Sequence, residues 1–453
     1  MNYFKKTGKD VKEISSRFYK RDFSGDEGQV IKNSTYQIST QLVAKFGSLI
    51  FTVIVARMLM PELFGLYNLA ISTIMVFAAF SDFGLGSSLI RFVSSKVSQK
   101  KLGKAKSYFT YIIKLKILLL VLVIFILMIS AHFLATSFYQ KPLFLALIAG
   151  SVYLFFMEIS SILKSSYQSI NKFELIFTQE IIFQTLRIIF VSSVIFLSLN
   201  YLVNEELLMF YIVLALSTAA FISFLFLFSF SKKTLTFLEH KKSNITKREK
   251  SNLNKFILAV SVTALSGIFF SYIDKIMLGG FVDGEFIGYY SAAFSFIGAS
   301  IPIITFSAAL LPIFSRLTRN KLEPLFRKSR EIIMTLSIIL MVFFLIFAPL
   351  LINIVFGELY APSVEILRIF SVVLIIMSAN ALFSTYLTAI GKPLVITKSL
   401  IISSILNVIL NYILISWLVN YSQLAAVYGA VFATITSNFV YLILMFYFNK
   451  SYN

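Results

Sequence analysis

Long runs of apolar residues separated by short polar stretches follow one another along the chain from about residue 36. A helix needs about 20 apolar residues to cross the hydrocarbon core of a bilayer, and twelve runs reach roughly that length. They lie at residues 36–57, 65–86, 109–132, 143–163, 175–199, 207–230, 253–273, 287–312, 332–355, 365–388, 396–418 and 424–447. The pattern predicts an all-α integral membrane protein with about 12 transmembrane helices.

Lys and Arg concentrate in every second gap between the predicted spans. The N-terminal 35 residues carry eight of them, residues 91–106 carry six, residues 232–250 carry seven and residues 316–330 carry six. The gaps between these clusters hold few or none. Because cytoplasmic loops carry the basic excess of a membrane protein, we predict a multi-pass protein of the inner membrane with both termini in the cytoplasm.

The composition agrees with a membrane protein and excludes other classes. Hydrophobic residues make up 58% of the chain and charged residues 14%, which leaves too little polar surface for a soluble fold. The net charge of +20 lies in short loops beside apolar runs, which favours anionic lipid headgroups over nucleic acid as the partner. The absence of Cys excludes disulfides and thiolate metal sites.

Motifs of the common enzyme classes do not occur in the sequence. There is no Walker A pattern, no Gly-x-Ser-x-Gly motif and no carboxylate-rich loop of the kind a membrane-embedded transferase uses. The only histidines, His132 and His240, have no ligand partners at a useful spacing. We therefore expect no catalytic residue, no metal site and no cofactor.

Two short motifs recur in the second half of the chain at nearly equal offsets. Phe-Gly-Leu-Tyr-Asn-Leu-Ala at residues 64–70 is matched by Ile-Gly-Tyr-Tyr-Ser-Ala-Ala at residues 287–293, an offset of 223. Ser-Ile-Asn-Lys at residues 169–172 is matched by Ala-Ile-Gly-Lys at residues 389–392, an offset of 220. Because six crossings return the chain to its starting side, the two copies should point the same way, as in alternating-access carriers.

The repeat predicts two parallel-related lobes of six helices with a charged hinge between them. The N-lobe precedes the hinge and the C-lobe follows it. We assign residues 1–35 to a cytoplasmic tail, 36–230 to the N-lobe, 231–252 to a cytoplasmic linker, 253–447 to the C-lobe and 448–453 to the cytoplasmic C-terminus.

Polar residues within the spans predict a hydrophilic interior. An ionisable side chain at mid-bilayer costs about 2.5–3.5 kcal/mol, so it should face the bundle interior or a wet cavity. Polar residues repeat at helical spacing along one face of spans one, four, five, seven and eleven. Gln41 and Lys45 belong to the stripe of span one, and Lys45 lies well inside its span. Together these stripes predict a wide polar cavity.

Two interpretations remain open for several charged residues. Glu180 and Arg187 either neutralise each other on span five or face the cavity. Basic residues near span ends either line the cavity or reach the lipid headgroups, and these are Arg57, Arg91, Lys275 and Arg316.

Other polar residues of the spans are expected to be structural. The side chains of Lys114 and Lys116 should reach the lipid headgroups. Ser404, Asn407 and Asn411 should join helices rather than bind a substrate, because small and amide side chains commonly hold membrane helices together.

Four motifs in chain order resemble one family. Residues 56–67, Ala-Arg-Met-Leu-Met-Pro-Glu-Leu-Phe-Gly-Leu-Tyr, resemble the start of span two in polysaccharide-exporting flippases of the multidrug/oligosaccharidyl-lipid/polysaccharide (MOP) exporter superfamily. Asp-Phe-Gly-Leu-Gly at residues 82–86 resembles the end of that span, and residues 288–293 resemble the start of the second lobe. Gly-Ala-Val-Phe-Ala-Thr at residues 429–434 resembles the family's tail. The similarity extends over essentially the whole chain from about residue 33.

The resemblance implies a MATE-like fold and a Wzx-type flippase. Such a protein moves a polyprenyl-(pyro)phosphate-linked oligosaccharide from the inner to the outer leaflet for surface polysaccharide biosynthesis. It implies H+ or Na+ as the candidate coupling ion, and a glycan polymerase and glycosyltransferases as candidate partners.

The same resemblance assigns roles to residues of the polar stripes. A pyrophosphate needs cations, and the expected substrate-binding residues are Lys45, Arg57 and Lys275, followed by Arg187, Arg368 and Gln41. Asp274 should pair with one of these cations or carry the coupling ion, and Glu180 is a second candidate for coupling or gating. Asp82 and Arg91 should form a latch at the cytoplasmic mouth.

Other functions fit parts of the sequence. A multidrug extruder of the same superfamily takes cationic cargo and should have an acidic cavity. A lipid II flippase should have fourteen spans, whereas about twelve are predicted here. Two further alternatives are not transporters. They are a membrane glycosyltransferase or polymerase, and a scaffold of a glycan assembly complex.

Overall fold

The fold is taken from a computed structural model, and the structure describes residues 25–201, 203–305, 307–317 and 319–451. Regular structure throughout these residues is helical. The predicted cytoplasmic tail lies outside the described residues as far as residue 24, and from Gly25 it already belongs to the first helix. The last helix continues to Ser451, so most of the predicted C-terminal segment is helical too.

Six long helices form the N-lobe, and α1 packs against α5 while α4 packs against α6. A π-helical turn extends α3 before the connection to α4. The helices are α1 (Gly25–Asp82), α2 (Leu85–Ser98), α3 (Leu102–Phe133), α4 (Phe144–Ser169), α5 (Phe173–Asn200) and α6 (Glu205–Thr234).

The C-lobe repeats this plan with more interruptions. Two helices that follow each other directly, α11 and α12, are bent by 44°. The helices are α7 (Lys247–Gly279), α8 (Gly284–Thr305), α9 (Ser307–Arg316), α10 (Arg319–Val355), α11 (Ser363–Ser371), α12 (Val373–Ala389), α13 (Pro393–Leu418) and α14 (Gln423–Ser451).

Each predicted span lies on helices of this structure. Among the described residues, nine helices are long and apolar enough to cross a membrane, and the bent pair α11–α12 makes ten. Spans one and two both lie in α1, and span eight is divided between α8 and α9. The all-α membrane class is therefore confirmed. The count of twelve spans and the side of the membrane on which the termini lie stay predictions.

Large apolar side chains cover the outside of the bundle. Leu118 and Ile129 on α3 are 66% and 64% exposed, and Ile346 on α10 is 62% exposed. Such side chains have their favourable contacts in hydrocarbon, because no polar partner is needed there. The helices are thus apolar on the side that faces lipid as well as on the side that faces the core.

α1 is 58 residues long because its two spans are joined without a loop. Met60 has φ 59° and ψ 175°, which interrupts the helix directly before Pro61. Proline lacks an N–H, clashes with the carbonyl four residues earlier and pushes the preceding residue to an extended ψ. The chain therefore changes direction at a single residue, between Arg57 and Gly65.

The second span ends earlier than predicted. Phe83 and Gly84 adopt left-handed conformations, with φ 44° and 68°, directly after Asp82. Glycine reaches this region without steric cost, so the chain can turn here and start α2 at Leu85. The Asp-Phe-Gly-Leu motif forms this turn instead of the end of a span that reaches residue 86.

The predicted repeat is visible in the turns that follow α4 and α12. Asn171 and Gly391 occupy equivalent positions and both have a left-handed φ, 60° and 77°. In each copy the next residue, a lysine, donates its N–H to the carbonyl five residues earlier at 2.9 Å. The two copies therefore end their helices with the same capping geometry.

The predicted linker, residues 231–252, includes the ends of two helices. α6 continues to Thr234 and α7 begins at Lys247. Between them the chain is attached to the N-lobe, since Ser107 on α3 donates its hydroxyl to Ser243 O at 2.6 Å. The predicted hinge is thus a short segment held against one lobe.

Candidate substrate cavity

A cavity of about 390 Å³ lies between the two lobes. The N-lobe contributes side chains from α1, α4, α5 and α6, and the C-lobe contributes side chains from α7 and α8. Polar stripes of spans one, five and seven therefore meet in one place. The lining includes Lys45, Ser48, Phe51, Thr52, Tyr67, Asn68, Tyr153, Arg187, Ser271, Tyr272, Lys275 and Ser291.

Three basic side chains from separate helices line the cavity: Lys45 on α1, Arg187 on α5 and Lys275 on α7. None of the lining residues in the described part of the chain is Asp or Glu. Charge-assisted hydrogen bonds from such cations are the strongest contacts a protein makes to phosphate. The cavity is therefore suited to an anionic group.

Arg187 presents unpaired donors. Its guanidinium lies over the ring of Phe51, with 4.5 Å between the central carbon and the ring centroid. Its Nε and one terminal nitrogen are buried and have no hydrogen-bond partner among the described residues. A ring below a guanidinium orients it without using its N–H groups. Because buried donors are normally satisfied, these two nitrogens favour a bound acceptor, either water or substrate.

Lys275 links the two lobes across the cavity. Its amino group donates to Asn68 Oδ1 of the N-lobe at 3.4 Å and lies 5.9 Å from the ring centroid of Phe294. The hydrogen bond is long, so a charged acceptor in the cavity could compete for this amino group.

Hydroxyl groups and aromatic rings make up much of the remaining lining. Tyr67, Tyr153 and Tyr272 contribute both, and serine and threonine hydroxyls lie between them. Hydroxyls donate and accept hydrogen bonds, whereas rings offer a flat apolar face, and a sugar can use both. The sequence did not single out these tyrosines, because an aromatic residue in an apolar span usually packs in the core.

A second polar site lies inside the C-lobe at Asp274. Its buried carboxylate accepts hydrogen bonds from Asn411 Nδ2 at 2.7 Å, Tyr290 Oη at 2.6 Å and Thr434 Oγ1 at 2.6 Å. The side-chain oxygens of Asn407 and Asn411 are buried without a partner in the described part of the chain. Hydrogen-bond donors from α8, α13 and α14 thus converge on one buried carboxylate.

Residues 30–318 match the model of the family described as polysaccharide biosynthesis protein, which is more than half of the 453-residue chain. The chain belongs to the polysaccharide biosynthesis protein family. A curated relative, the probable low-salt glycan biosynthesis flippase Agl15 of Haloferax volcanii, is 26% identical over 163 residues. That match covers 34% of this chain. The chain spans about a third (34%) of the curated relative's length.

Solved structures with the same fold are transporters. A multidrug resistance MATE family transporter of the MOP superfamily, in an inward-facing conformation, has a TM-score of 0.72 and 15% identity, with 90% of this chain and 94% of that chain covered. The lipid II flippase MurJ has a TM-score of 0.68 and 16% identity, with 92% and 87% covered. A MOP superfamily transporter from Pyrococcus furiosus, described as having a binding pocket of reverse polarity that suggests a different function, has a TM-score of 0.61 and 15% identity, with 95% and 96% covered. This polysaccharide biosynthesis protein thus has the predicted MATE-like fold.

In this chain, Arg57 does not line the cavity. It donates its Nε to Val355 O at 2.9 Å and a terminal N–H to Ile354 O. Free carbonyls at the end of a helix attract cations, and Val355 ends α10. Arg57 thus joins the two lobes in this structure, and its contact with the pyrophosphate stays a prediction. Gln41 also lies outside the lining.

Arg368 is engaged elsewhere as well. It pairs with Glu365 at 2.5 Å and donates its Nε to Leu345 O at 3.2 Å. Both partners belong to the C-lobe, and none of the three residues lines the cavity. Arg368 therefore joins α11 to α10 and is not placed as a substrate ligand.

Glu180 does not neutralise Arg187. Its carboxylate pairs with Lys164 on α4 at 3.1 Å and accepts a hydrogen bond from Gln184 at 2.7 Å. Of the two interpretations for these residues, the structure favours the one in which Arg187 faces the cavity.

The predicted latch between Asp82 and Arg91 does not form. Asp82 instead pairs with Lys116 at 3.0 Å, and Lys116 also pairs with Glu158. Arg91 lies over the ring of Phe256, 4.4 Å from its centroid. Lys116 is fully buried, so the expectation that it reaches the headgroups is wrong. Its partners come from two other helices, and no spacing within one helix could reveal them.

Ser404 and Asn411 join helices as expected. Ser404 Oγ donates to Ser266 O at 3.1 Å, which connects α13 to α7. Asn411 makes its interhelical bond to the carboxylate of Asp274.

Proposed function

We propose that this chain is an alternating-access flippase that carries a polyprenyl-(pyro)phosphate-linked oligosaccharide from the inner to the outer leaflet of the inner membrane during surface polysaccharide biosynthesis. The observation that carries the proposal is the cavity between the lobes, where Lys45, Arg187 and Lys275 occur without an acid among the described lining residues. Membership of the polysaccharide biosynthesis protein family and the similarity to a probable glycan biosynthesis flippase support it.

The parts of such a cargo correspond to different surfaces of the protein. The basic side chains bind the pyrophosphate, and the tyrosines and hydroxyls contact the first sugars. A cavity of about 390 Å³ is large enough for this head part only. The polyprenyl chain stays in the bilayer, because moving its apolar surface into a polar cavity would be unfavourable.

A multidrug extruder is the second candidate and is disfavoured by charge. Its cationic cargo would be repelled by the three basic side chains, because no acid among the described lining residues offsets their charge. We therefore propose a non-enzymatic transporter of anionic cargo, which receives the cargo from glycosyltransferases and delivers it to a polymerase.

The proposal predicts that the charges of the cavity are required. We expect that replacing Lys45, Arg187 and Lys275 together with glutamine lowers export at least roughly tenfold, because each charged hydrogen bond contributes about 1.5–3 kcal/mol. The assay is complementation of cells that lack the chain, with lipid-linked oligosaccharide measured in each leaflet and glycan measured at the surface. Lys114→Gln is the matched control, since Lys114 is exposed on α3. Export at the parent level by a triple variant of normal membrane abundance would contradict the proposal.

We propose Asp274 as the site of a monovalent coupling cation, H+ or Na+. The carboxylate and the Thr434 hydroxyl are hard oxygen ligands of the kind such a cation prefers. Asn407 and Asn411 on α13 carry further buried oxygens that have no partner among the described residues. Asp274→Asn should abolish the response of transport to an ion gradient and leave gradient-independent binding of cargo in place.

Proteoliposomes with an imposed Na+ gradient, or an imposed pH gradient without Na+, distinguish the two ions. Flipping of a fluorescent polyprenyl-pyrophosphate-linked sugar is the readout. Glu205→Gln replaces an exposed acid at the start of α6 and serves as the control. If Asp274→Asn responds to either gradient as strongly as the parent, Asp274 is not the coupling site for that ion.

A further inference from the structure

The two lobes touch backbone to backbone where the second half of α1 crosses the start of α8. A methyl group added to Gly65 would lie 1.7 Å from Gly284 O, and one added to Gly288 would lie 2.1 Å from Pro61 O. Distances under 3.0 Å to a backbone atom require the backbone to move. The crossing therefore exists only because neither residue has a side chain.

Gly65 and Gly288 are equivalent residues of the internal repeat. Each is the glycine of its own Phe/Ile-Gly-x-Tyr motif, and the two motifs lie 223 residues apart. Residues just after each glycine line the cavity, namely Asn68 on α1 and Ser291 on α8. The two copies of the motif thus meet each other and together form one end of the cavity.

Further hydrogen bonds connect the two lobes, and each involves a residue that is near this crossing in the sequence. Tyr360 of the C-lobe donates its hydroxyl to Ala56 O of the N-lobe at 2.8 Å. Arg57 bonds the carbonyls at the end of α10, and Lys141 donates to Gly279 O at 2.9 Å. All of these residues border the loops that follow spans one, three, seven and nine, and the basic clusters predict that those loops are external.

Away from the crossing, there is free space beside α8 and α7. Gly298 lines the cavity ten residues beyond Gly288, about 15 Å along the helix, and a methyl group added there would meet nothing within 4 Å. Gly267 on α7 is open too, since a methyl group added there would also meet nothing within 4 Å. The backbones of α1 and α8 therefore meet at the glycine crossing, and α8 has free space around Gly298 on the other side of the cavity.

We propose that the Gly65–Gly288 crossing is the outer gate of the transporter and that its two glycines are required for the gate to close. Opening to the outside means separating the two motifs, and closing means returning the helices to backbone contact. A single methyl group at either position would hold the helices apart and shift the protein towards states open to the outside. The inference concerns the conformational cycle and does not depend on which cargo is carried.

Cysteine labelling tests the gate directly, because the chain contains no Cys. Ser271→Cys places one thiol in the cavity, and a membrane-impermeant maleimide is applied to intact cells from the outside. Gly65→Ala and Gly288→Ala should each raise labelling roughly fivefold or more, within the range by which conformational equilibria are usually biased. Gly280→Ala is the matched control, since its methyl group would meet its nearest neighbour at an ordinary 3.5 Å.

Tyr360→Phe provides a milder variant. It removes the hydroxyl that bonds Ala56 O and keeps the ring that packs against Phe64, so the fold should persist and labelling should rise by a smaller factor. Unchanged labelling in folded Gly65→Ala and Gly288→Ala would overturn the proposal. If neither glycine variant folds, unchanged labelling in Tyr360→Phe would overturn it. A rise in Gly280→Ala equal to that in the other two glycine variants would also overturn it.

Discussion

Lys116 joins α3 to two other parts of the N-lobe through a buried ion cluster. Its amino group pairs with Asp82 and with Glu158, and none of its side chain is exposed. The buried ammonium thus pairs with one buried carboxylate, that of Glu158, and with one partly exposed carboxylate, that of Asp82. Removing the lysine would leave two uncompensated acids facing each other, which is costly.

We expect Lys116→Met to lower the stability of the protein by about 3–5 kcal/mol, the usual cost of breaking a buried ion pair by removing one partner. The measurement is unfolding of the detergent-solubilised protein, followed by intrinsic fluorescence. Lys114→Met is the matched control, because Lys114 is exposed on the same helix.

Adding Asp82→Asn and Glu158→Gln to Lys116→Met should recover most of the lost stability, since no uncompensated charge then remains. Two outcomes would contradict the role given to this cluster. One is a Lys116→Met variant as stable as the parent, and the other is a triple variant no more stable than the single one.

Among the helices, α1 shows how local chemistry and packing act together. The Met60-Pro61 pair makes a break in the helix readable from the sequence, because proline cannot continue the hydrogen-bonding pattern. The predicted spans nevertheless leave residues 58–64 as a connecting loop. In the structure only Met60 departs from helical geometry. Because this turn is short, Gly65 follows the first span closely in the chain. There its backbone lies against the start of α8.

The start of α7 is attached to the lobe that precedes it. Thr246 caps the helix in a capping box with Glu249, and the carboxylate of Glu249 also accepts a hydrogen bond from Lys104 on α3 at 2.8 Å. Lys250 lies over the ring of Tyr111 at 4.9 Å. The cap was recognisable as a Thr-x-x-Glu pattern, but the contact with α3 depends on how the two helices are packed.

For the whole molecule, the distribution of basic residues predicts a direction in the membrane that can be measured. In the chain without Cys, Tyr421→Cys should react with an impermeant maleimide on intact cells, whereas Lys100→Cys should react only after permeabilisation. The reason is that Lys100 lies in a basic cluster and Tyr421 in a loop without Lys or Arg.

Both positions are exposed, and Tyr421 is 72% exposed, so a difference in labelling reports the side of the membrane rather than burial. Labelling of both variants in permeabilised cells is the control. The opposite result, with Lys100→Cys reactive on intact cells, would reverse the predicted orientation and place the glycine crossing on the cytoplasmic side.

The sequence by itself determined the membrane class, the spans, the internal repeat and three basic residues of the cavity. It could do so because crossing a bilayer demands about 20 apolar residues from each helix independently of its neighbours, and helical spacing shows which polar residues share a face. Only the tertiary structure decided which cations share a cavity. Lys45, Arg187 and Lys275 are far apart in the chain, whereas Arg57 and Lys116 find other partners. Such pairings depend on how helices pack, and packing between helices leaves no period in the sequence.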